Sequence, residues 1–201
     1  MTAIVFDIGN VLLRWDARLL LRQLLPDEVA VEAFVAEVDF DAWNLAQDAG
    51  RSWDDGVAAL AAAHPRHAAT AAAFHARWHE TVPGPVPGSV EILDELARDG
   101  LPLYAITNYS AEKWAETLPR FPFLDRRFRD VVVSAHERVT KPDPRIYAIL
   151  CDRNVLDPAA CVFIDDSPKN VAGARDFGMD AVRFTSAPAL AAALRERGLL
   201  A

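Results

Sequence analysis

The sequence predicts an α/β fold: a parallel sheet with helices between its strands, and an all-helical domain inserted after the first strand. Three observations predict it. From Ser89 onward, short apolar runs alternate with helical patterns, the rhythm of right-handed crossovers in a parallel sheet. Residues 17–81 carry helical signals and no convincing strand. Between the two regions, residues 81–88 hold three prolines and two glycines, which reads as a linker. Residues 1–15 and 85–201 are thereby assigned to the α/β core and 16–84 to the helical insert, with 14–17 and 81–88 as crossings that act as hinges.

Each element has a local reason. Ala3, Ile4, Val5 and Phe6 read as a strand buried on both faces. Asp7 ends it, and Gly9 and Asn10, both tolerant of positive φ, turn the chain. In the insert, Leu20, Leu21, Leu24 and Leu25 form one apolar face, and Asp27 caps a helix reaching about residue 38. Ser52 with Asp55 three residues on is close to a capping box. An alanine-rich run continues that helix until His64-Pro65 stops it. A last helix covers about 66–80. Beyond the linker a helix starts at Ser89 or Glu91 and stops at Gly100. Strands follow at 101–106, 131–133, 161–164 and 180–184, and helices at 110–118, 144–153, from Ser167-Pro168, and at 187–197. Pro168 takes a favoured first helical position.

With 201 residues, 52% of them hydrophobic and 25% charged, the chain has ample material for a core. Its net charge of -8 argues against nucleic acid or an anionic membrane as a bulk partner. A local site can still take a small anion. Cys151 and Cys161 match no metal or redox spacing and read as packing residues. No basic segment precedes the first apolar run and no run reaches membrane-span length, so the expectation is a cytoplasmic protein. No glycine-rich dinucleotide fingerprint or P-loop is present. His75 and His79 have the spacing of a zinc pair, but position 76 is alanine where that motif has its glutamate, so they read as packed or solvated residues. Trp43, Trp53 and Trp78 read mainly as core of the helical insert, with one or two lining a cavity.

Polar clusters stand at or just after four strand ends: Asp7, Thr107-Asn108, Lys141-Pro142 and Asp165-Asp166. In a parallel sheet those ends share one edge, where open α/β sheets place their chemistry. Singly, each has an ordinary explanation: a lysine before proline is commonly a surface charge, and an Asp-Asp pair before Ser-Pro a helix cap. Their joint order is distinctive. Val5-Phe6-Asp7-Ile8-Gly9-Asn10-Val11-Leu12, Ile106-Thr107-Asn108, Lys141-Pro142-Asp143-Pro144-Arg145-Ile146-Tyr147 and Phe163-Ile164-Asp165-Asp166-Ser167-Pro168-Lys169-Asn170-Val171-Ala172-Gly173-Ala174 together resemble the haloacid dehalogenase-like hydrolase superfamily.

The resemblance implies a Rossmann-like core with strand order 5-4-1-2-3 and a helical cap after strand 1. It implies Asp7 as nucleophile and Lys141 as the cation neutralising both Asp7 and a phosphate. It implies a Mg²⁺ site from Asp7, Asp165, Asp166 and the Gly9 carbonyl, the oxygen donors that Mg²⁺ takes. Thr107, with main-chain groups near Ile8, Gly9 and Asn108, would hold phosphate oxygens. Asn170 would fix the acidic loop from behind. In the cap, Asp48 and Arg51 lie between predicted helices and are the expected specificity residues.

One position departs from the pattern. Phosphatases of this family mostly carry a second aspartate two residues after the nucleophile, to protonate the leaving alcohol and later activate water; here it is Gly9. The proton must then come from water, from the substrate or from a cap group, with Asp16 and a cap histidine as first candidates. An opening such as Phe6-Asp7-Ile8-Gly9-Asn10-Val11 is similar to a subgroup that includes sugar phosphate phosphatases. The family's dehalogenases lack that aspartate too, but also lack the acidic pair. The implied activity is Mg²⁺-dependent removal of phosphate from a small phosphomonoester through an aspartyl-phosphate. The alternatives are a metal-independent 2-haloacid dehalogenase and a low-turnover binding or regulatory member.

Overall fold

A computed structural model describes residues 2–201. The chain opens with β1 (Ala3–Phe6) and the two-residue β2 (Leu13–Arg14), then runs through α1 (Ala17–Leu24), α2 (Glu28–Glu37), α3 (Phe40–Asp48), α4 (Trp53–Ala63) and α5 (Ala68–Ala76). It returns through β3 (Gly84–Pro85), α6 (Ser89–Arg98), β4 (Leu103–Thr107), α7 (Ala111–Thr117), α8 (Phe123–Arg126) and β5 (Asp130–Val133). It ends with α9 (Ser134–Glu137), α10 (Pro144–Asn154), β6 (Cys161–Asp165), α11 (Pro168–Phe177), β7 (Asp180–Arg183) and α12 (Ala187–Glu196).

Five strands form one parallel sheet in the order β5-β4-β1-β6-β7. Counting only these strands, that is the expected 5-4-1-2-3 order read from the opposite edge. β1 is central, with Val5 in register with Tyr104 on one side and Phe163 on the other. Its residues alternate between two apolar layers. Ile4 and Phe6 pack with the layer containing Leu93, Leu190 and the insert's core, and Ala3 and Val5 with Ile146, Tyr147 and Val171. Burial on both faces is why β1 reads as an unbroken apolar run rather than an alternating one. Cys151 and Cys161 are both buried thiols of the second layer.

Three features of the insert differ from the sequence expectation. Residues 40–48, expected between helices, form α3; Asp39, with φ 45°, turns the chain into it. A nine-residue helix is marginal alone. This one is held by Phe40 and Trp43, whose rings meet Phe74 at 5.3 and 6.2 Å, with Trp43 also edge-on to Trp53 at 5.4 Å. The helix expected over 66–80 divides into a 3₁₀ turn, α5, and a second 3₁₀ turn at Trp78–Thr81, where the Thr81 hydroxyl donates to the Trp78 carbonyl at 2.7 Å. The two crossings are not bare linkers either. β2 and β3 pair antiparallel, Leu13 with Pro85 and Arg14 with Gly84, so the outgoing and returning chains brace each other.

The insert is docked on the core. Trp53 Nε1 donates to Ser110 Oγ at 2.8 Å, and the Trp53 N–H reaches the Glu112 carboxylate at 3.0 Å. Ser134 Oγ donates to the Asp48 carbonyl at 2.6 Å, and Lys113 Nζ to the His75 carbonyl at 3.1 Å. His75 itself stacks on Trp53, 5.2 Å between centroids and 9° between planes. Among the described residues, no helix is long and apolar enough to cross a membrane.

Candidate active site

Asp7 follows the last residue of β1, and its N–H continues the ladder to the Ile164 carbonyl at 2.8 Å. The chain then turns at once: the Leu12 and Leu13 amides return to the Ile8 carbonyl. Asn10 takes the left-handed conformation at φ 55°, and its Oδ1 accepts from the Trp15 N–H at 2.9 Å. Gly9 is not left-handed, and a Cβ there meets nothing within 4 Å. Of the two residues that tolerate positive φ, only Asn10 adopts it. The turn at Gly9 has room for a side chain that the sequence does not supply.

Lys141 is the electrostatic centre. Its Nζ lies 2.8 Å from Asp7 Oδ1 and 2.7 Å from Asp165 Oδ2, and also donates to the Ile106 carbonyl at 2.9 Å. All three ammonium protons thus have acceptors. Burial opposes its charge, but Asp165 and Asp7 outweigh that and hold the ammonium above its ordinary value. Burial pushes the Asp7 carboxyl up to about 7, with Lys141 pulling the other way. Asn108 clasps the lysine's main chain, its Oδ1 accepting from the Lys141 N–H at 2.8 Å and its Nδ2 donating to the Lys141 carbonyl at 3.1 Å.

The two acids at the end of β6 are not equivalent. Asp165 is fully buried, and its carboxylate accepts from Lys141, from the Ser167 N–H at 2.8 Å, and from Asn170 Nδ2 at 3.1 Å to each oxygen. Asp166 is half-buried and faces a cavity, its carboxyl raised by burial and then by Asp165. One carboxylate oxygen from each of Asp7, Asp165 and Asp166 can be chosen so that the three lie within 4.8 Å of one another. Such an all-oxygen set suits a hard divalent cation.

The helix carrying Asn170 is pressed against the loop carrying Lys141. A Cβ at Gly173 would stand 2.8 Å from Pro142 Cβ and 2.9 Å from the Pro142 carbonyl oxygen. Replacing Gly173 by Ala should therefore push that loop off α11. A loss of about 1–3 kcal/mol in urea unfolding together with a fall in kcat is the expected result, because the displaced residue is next to Lys141.

A cavity of about 170 Å³ opens above these groups, lined by Asp7, Gly9, Asp166, Asn108 and Ser110 from the core and by Asn44, Asp48 and Trp78 from the insert, with Trp15 and Tyr109 completing an aromatic wall. No lysine, arginine or histidine is among its lining residues. Thr107 is buried at the end of β4, and the Ile8 N–H donates to Asp7 Oδ1 at 2.7 Å.

The two expected cap residues part company. Asp48 ends α3 and reaches the cavity, and burial pushes its carboxyl up to about 7. Arg51 does not reach it. Its guanidinium donates to Gln47 Oε1 at 2.6 Å and to the Trp43 carbonyl at 2.9 Å, tying down the C-terminal end of α3. Helix C-termini attract such cations, so Arg51 holds the cap together and the specificity expected of it is not supported. Asp16 is likewise occupied, its Oδ1 accepting from the Arg18 N–H at the start of α1. Asn44 was missed, although it stands one helical turn before Asp48 and its Nδ2 donates to Asp48 Oδ2 at 3.2 Å. That i, i+4 relation shows only once residues 40–48 are known to be helical.

Comparison with known proteins agrees with this geometry. A family model described as haloacid dehalogenase-like hydrolase matches residues 1–178. Flavin mononucleotide hydrolase 1 of Arabidopsis thaliana is 32% identical over 112 residues, 56% of this chain and 45% of that protein. (S)-2-haloacid dehalogenase 4A of Burkholderia cepacia is 30% identical over 98 residues, 49% of this chain and 42% of that protein. The chain thus matches under half the length of either relative. A haloacid dehalogenase family enzyme of Bacteroides thetaiotaomicron, solved with magnesium and inorganic phosphate, superposes with a TM-score of 0.73 at 18% identity, covering 92% of this chain and 95% of that one; at that identity the likeness is one of fold. The match over nearly the whole sheet, on a chain whose strand ends carry the four polar clusters in order, identifies this protein as a member of the haloacid dehalogenase-like hydrolases.

Proposed function

We propose that this hydrolase is a Mg²⁺-dependent phosphatase of small phosphomonoesters. The observation that carries the reading is the carboxylate cluster of Asp7, Asp165 and Asp166 with one buried ammonium, that of Lys141, set against Asp7 and Asp165. Three carboxylates with one lysine leave a surplus of negative charge, which a divalent cation balances. An aspartate displacing halide needs no such cluster. Asp7 and Asp166 face the cavity and would take the metal directly with the Gly9 carbonyl, while Asp165, saturated by its four donor contacts, orients Lys141. Bound there, Mg²⁺ supplies the charge that lets an anionic nucleophile approach a phosphate dianion. Asp7 attacks phosphorus, and the phosphoryl group is held as an aspartyl-phosphate until water releases it. Lys141 opposes the burial that favours the protonated form of Asp7 and aims its carboxylate.

The cavity supports a compact substrate. Its volume of about 170 Å³ falls below the roughly 300 Å³ at which sites for drug-sized ligands begin. The absence of a basic lining residue disfavours a second anionic group on the substrate. It weighs against a 2-haloacid, whose carboxylate would face Asp48 and Asp166 with Lys141 already committed. The similarity to a flavin mononucleotide hydrolase supports phosphate chemistry, and the fold neighbour solved with magnesium and inorganic phosphate supports the metal.

The test is a panel of alkyl, sugar and aryl phosphates and a 2-haloacid, each with Mg²⁺ and with chelator. Phosphate release that requires Mg²⁺, with small neutral-bodied esters ahead of flavin mononucleotide, is expected; halide release without metal would overturn the reading. Mg²⁺ should also raise the unfolding midpoint of the substrate-free protein, since it binds the folded state alone. Replacing Asp166 by Asn should remove that shift.

A further inference from the structure

We infer that Asp48, on the inserted helical domain, is the acid–base residue of this site and does the work of the side chain missing at position 9. The inference rests on the phosphatase reading. Its first support is the shared cavity, which Asp7, Gly9 and Asp48 all line, with open space where a side chain from Gly9 would stand. Its second is that Asp48 is held. Asn44 Nδ2 donates to its Oδ2 at 3.2 Å, the Ser110 N–H supports the carboxyl, and Ser134 Oγ fixes its carbonyl at 2.6 Å.

The third support is elimination among the lining residues. Asp7 and Asp166 belong to the nucleophile and the cation cluster. The Tyr109 hydroxyl is paired with Thr117 Oγ1 at 2.9 Å, and burial raises its pKa further from neutrality. Ser110 Oγ accepts from Trp53, and tryptophan and asparagine side chains do not exchange protons near neutral pH. Asp16 caps α1, and no histidine reaches the cavity. Burial also brings Asp48 to about 7, the range in which one group serves as acid and then as base.

The steps balance. As the Asp7 oxygen forms its bond to phosphorus, the phosphorus–alkoxy bond breaks and the alkoxy oxygen takes the proton of Asp48, leaving alcohol, aspartyl-phosphate and the Asp48 carboxylate. A water oxygen then attacks phosphorus, Asp48 takes a proton from that water, and the Asp7 carboxylate departs with the electron pair of the broken bond. Inorganic phosphate and a protonated Asp48 remain.

The experiment measures kcat/KM with Mg²⁺ across phosphate esters of graded leaving-group pKa. The native protein should show a shallow dependence, because the poor leaving groups are protonated. Asp48→Asn should cost about 10²–10⁴-fold on alkyl esters and far less on an activated aryl ester, where fast mixing should show a burst as release of the aspartyl-phosphate slows. Gly9→Asp added to Asp48→Asn should recover alkyl turnover, which a merely structural role for Asp48 would not allow. A steep series in the native protein overturns the inference even if the Asn variant does not fold. An Asn variant that changes KM alone, equally for every ester, also overturns it and makes Asp48 a binding group. Either result leaves the phosphatase reading standing. A native protein that releases phosphate from no ester overturns both.

Discussion

Replacement of Asp7 by Asn should abolish phosphate release, by about 10⁴-fold or more, the scale on which loss of a nucleophile is felt, without loss of stability. The change keeps volume and removes one oxygen nucleophile. Stability should move the other way from activity in metal-free protein. Burial pushes the Asp7 carboxyl up to about 7 from its ordinary value of 3.8. The acid form therefore favours the fold below about pH 4, and that contribution is lost as pH rises through about 7. Asparagine has no such loss, so the variant should unfold at a higher temperature than the native protein at pH 8 in chelator, and not at pH 4. Activity near native in the purified variant would place the chemistry on another residue.

Replacement of Lys141 by Met should cost both activity and stability. Removing a charged clamp from an enclosed site is expected to lower kcat/KM by roughly 10³-fold or more. It also leaves Asp7 and the fully buried Asp165 without their shared cation, 2.8 and 2.7 Å away in the native protein. Breaking a buried pair by removing one partner typically costs about 3–5 kcal/mol. Urea unfolding of the two variants should thus separate them: Asp7→Asn unchanged or more stable, Lys141→Met strongly destabilised. Equal stabilities would mean that Lys141 does not sit between the two carboxylates in solution.

Much of the core was legible because its signals are local. A strand buried on both faces must be apolar throughout, so Ala3 to Phe6 and Cys161 to Ile164 announce themselves. Asp7, Thr107, Lys141 and the acidic pair then fall on one edge of the sheet for topological reasons alone. The cap was less legible. Residues 40–48 carry a mixed polar and aromatic pattern, and their helix exists because Phe40 and Trp43 find partners on α4 and α5. Without that helix in view, Asp48 and Arg51 look equivalent. Three residues apart, they serve different ends, one facing the cavity and the other bonded back to the helix carbonyl of Trp43.

Hydrophobic periodicity and the parallel direction of the strands are enough to specify the sheet, the place of the insert and the set of charged groups at the strand ends. How the charges are divided is set by the packing of distant segments. That packing made Asp165 a buried partner of Lys141 and left Asp166 facing the cavity, turned Asn108 toward the Lys141 main chain, and brought Asp48 from the insert to the turn where Gly9 leaves room. The physical reason is that ionisation and hydrogen-bond partners depend on burial and on separations of a few ångströms between residues far apart in the chain, and no local pattern records them.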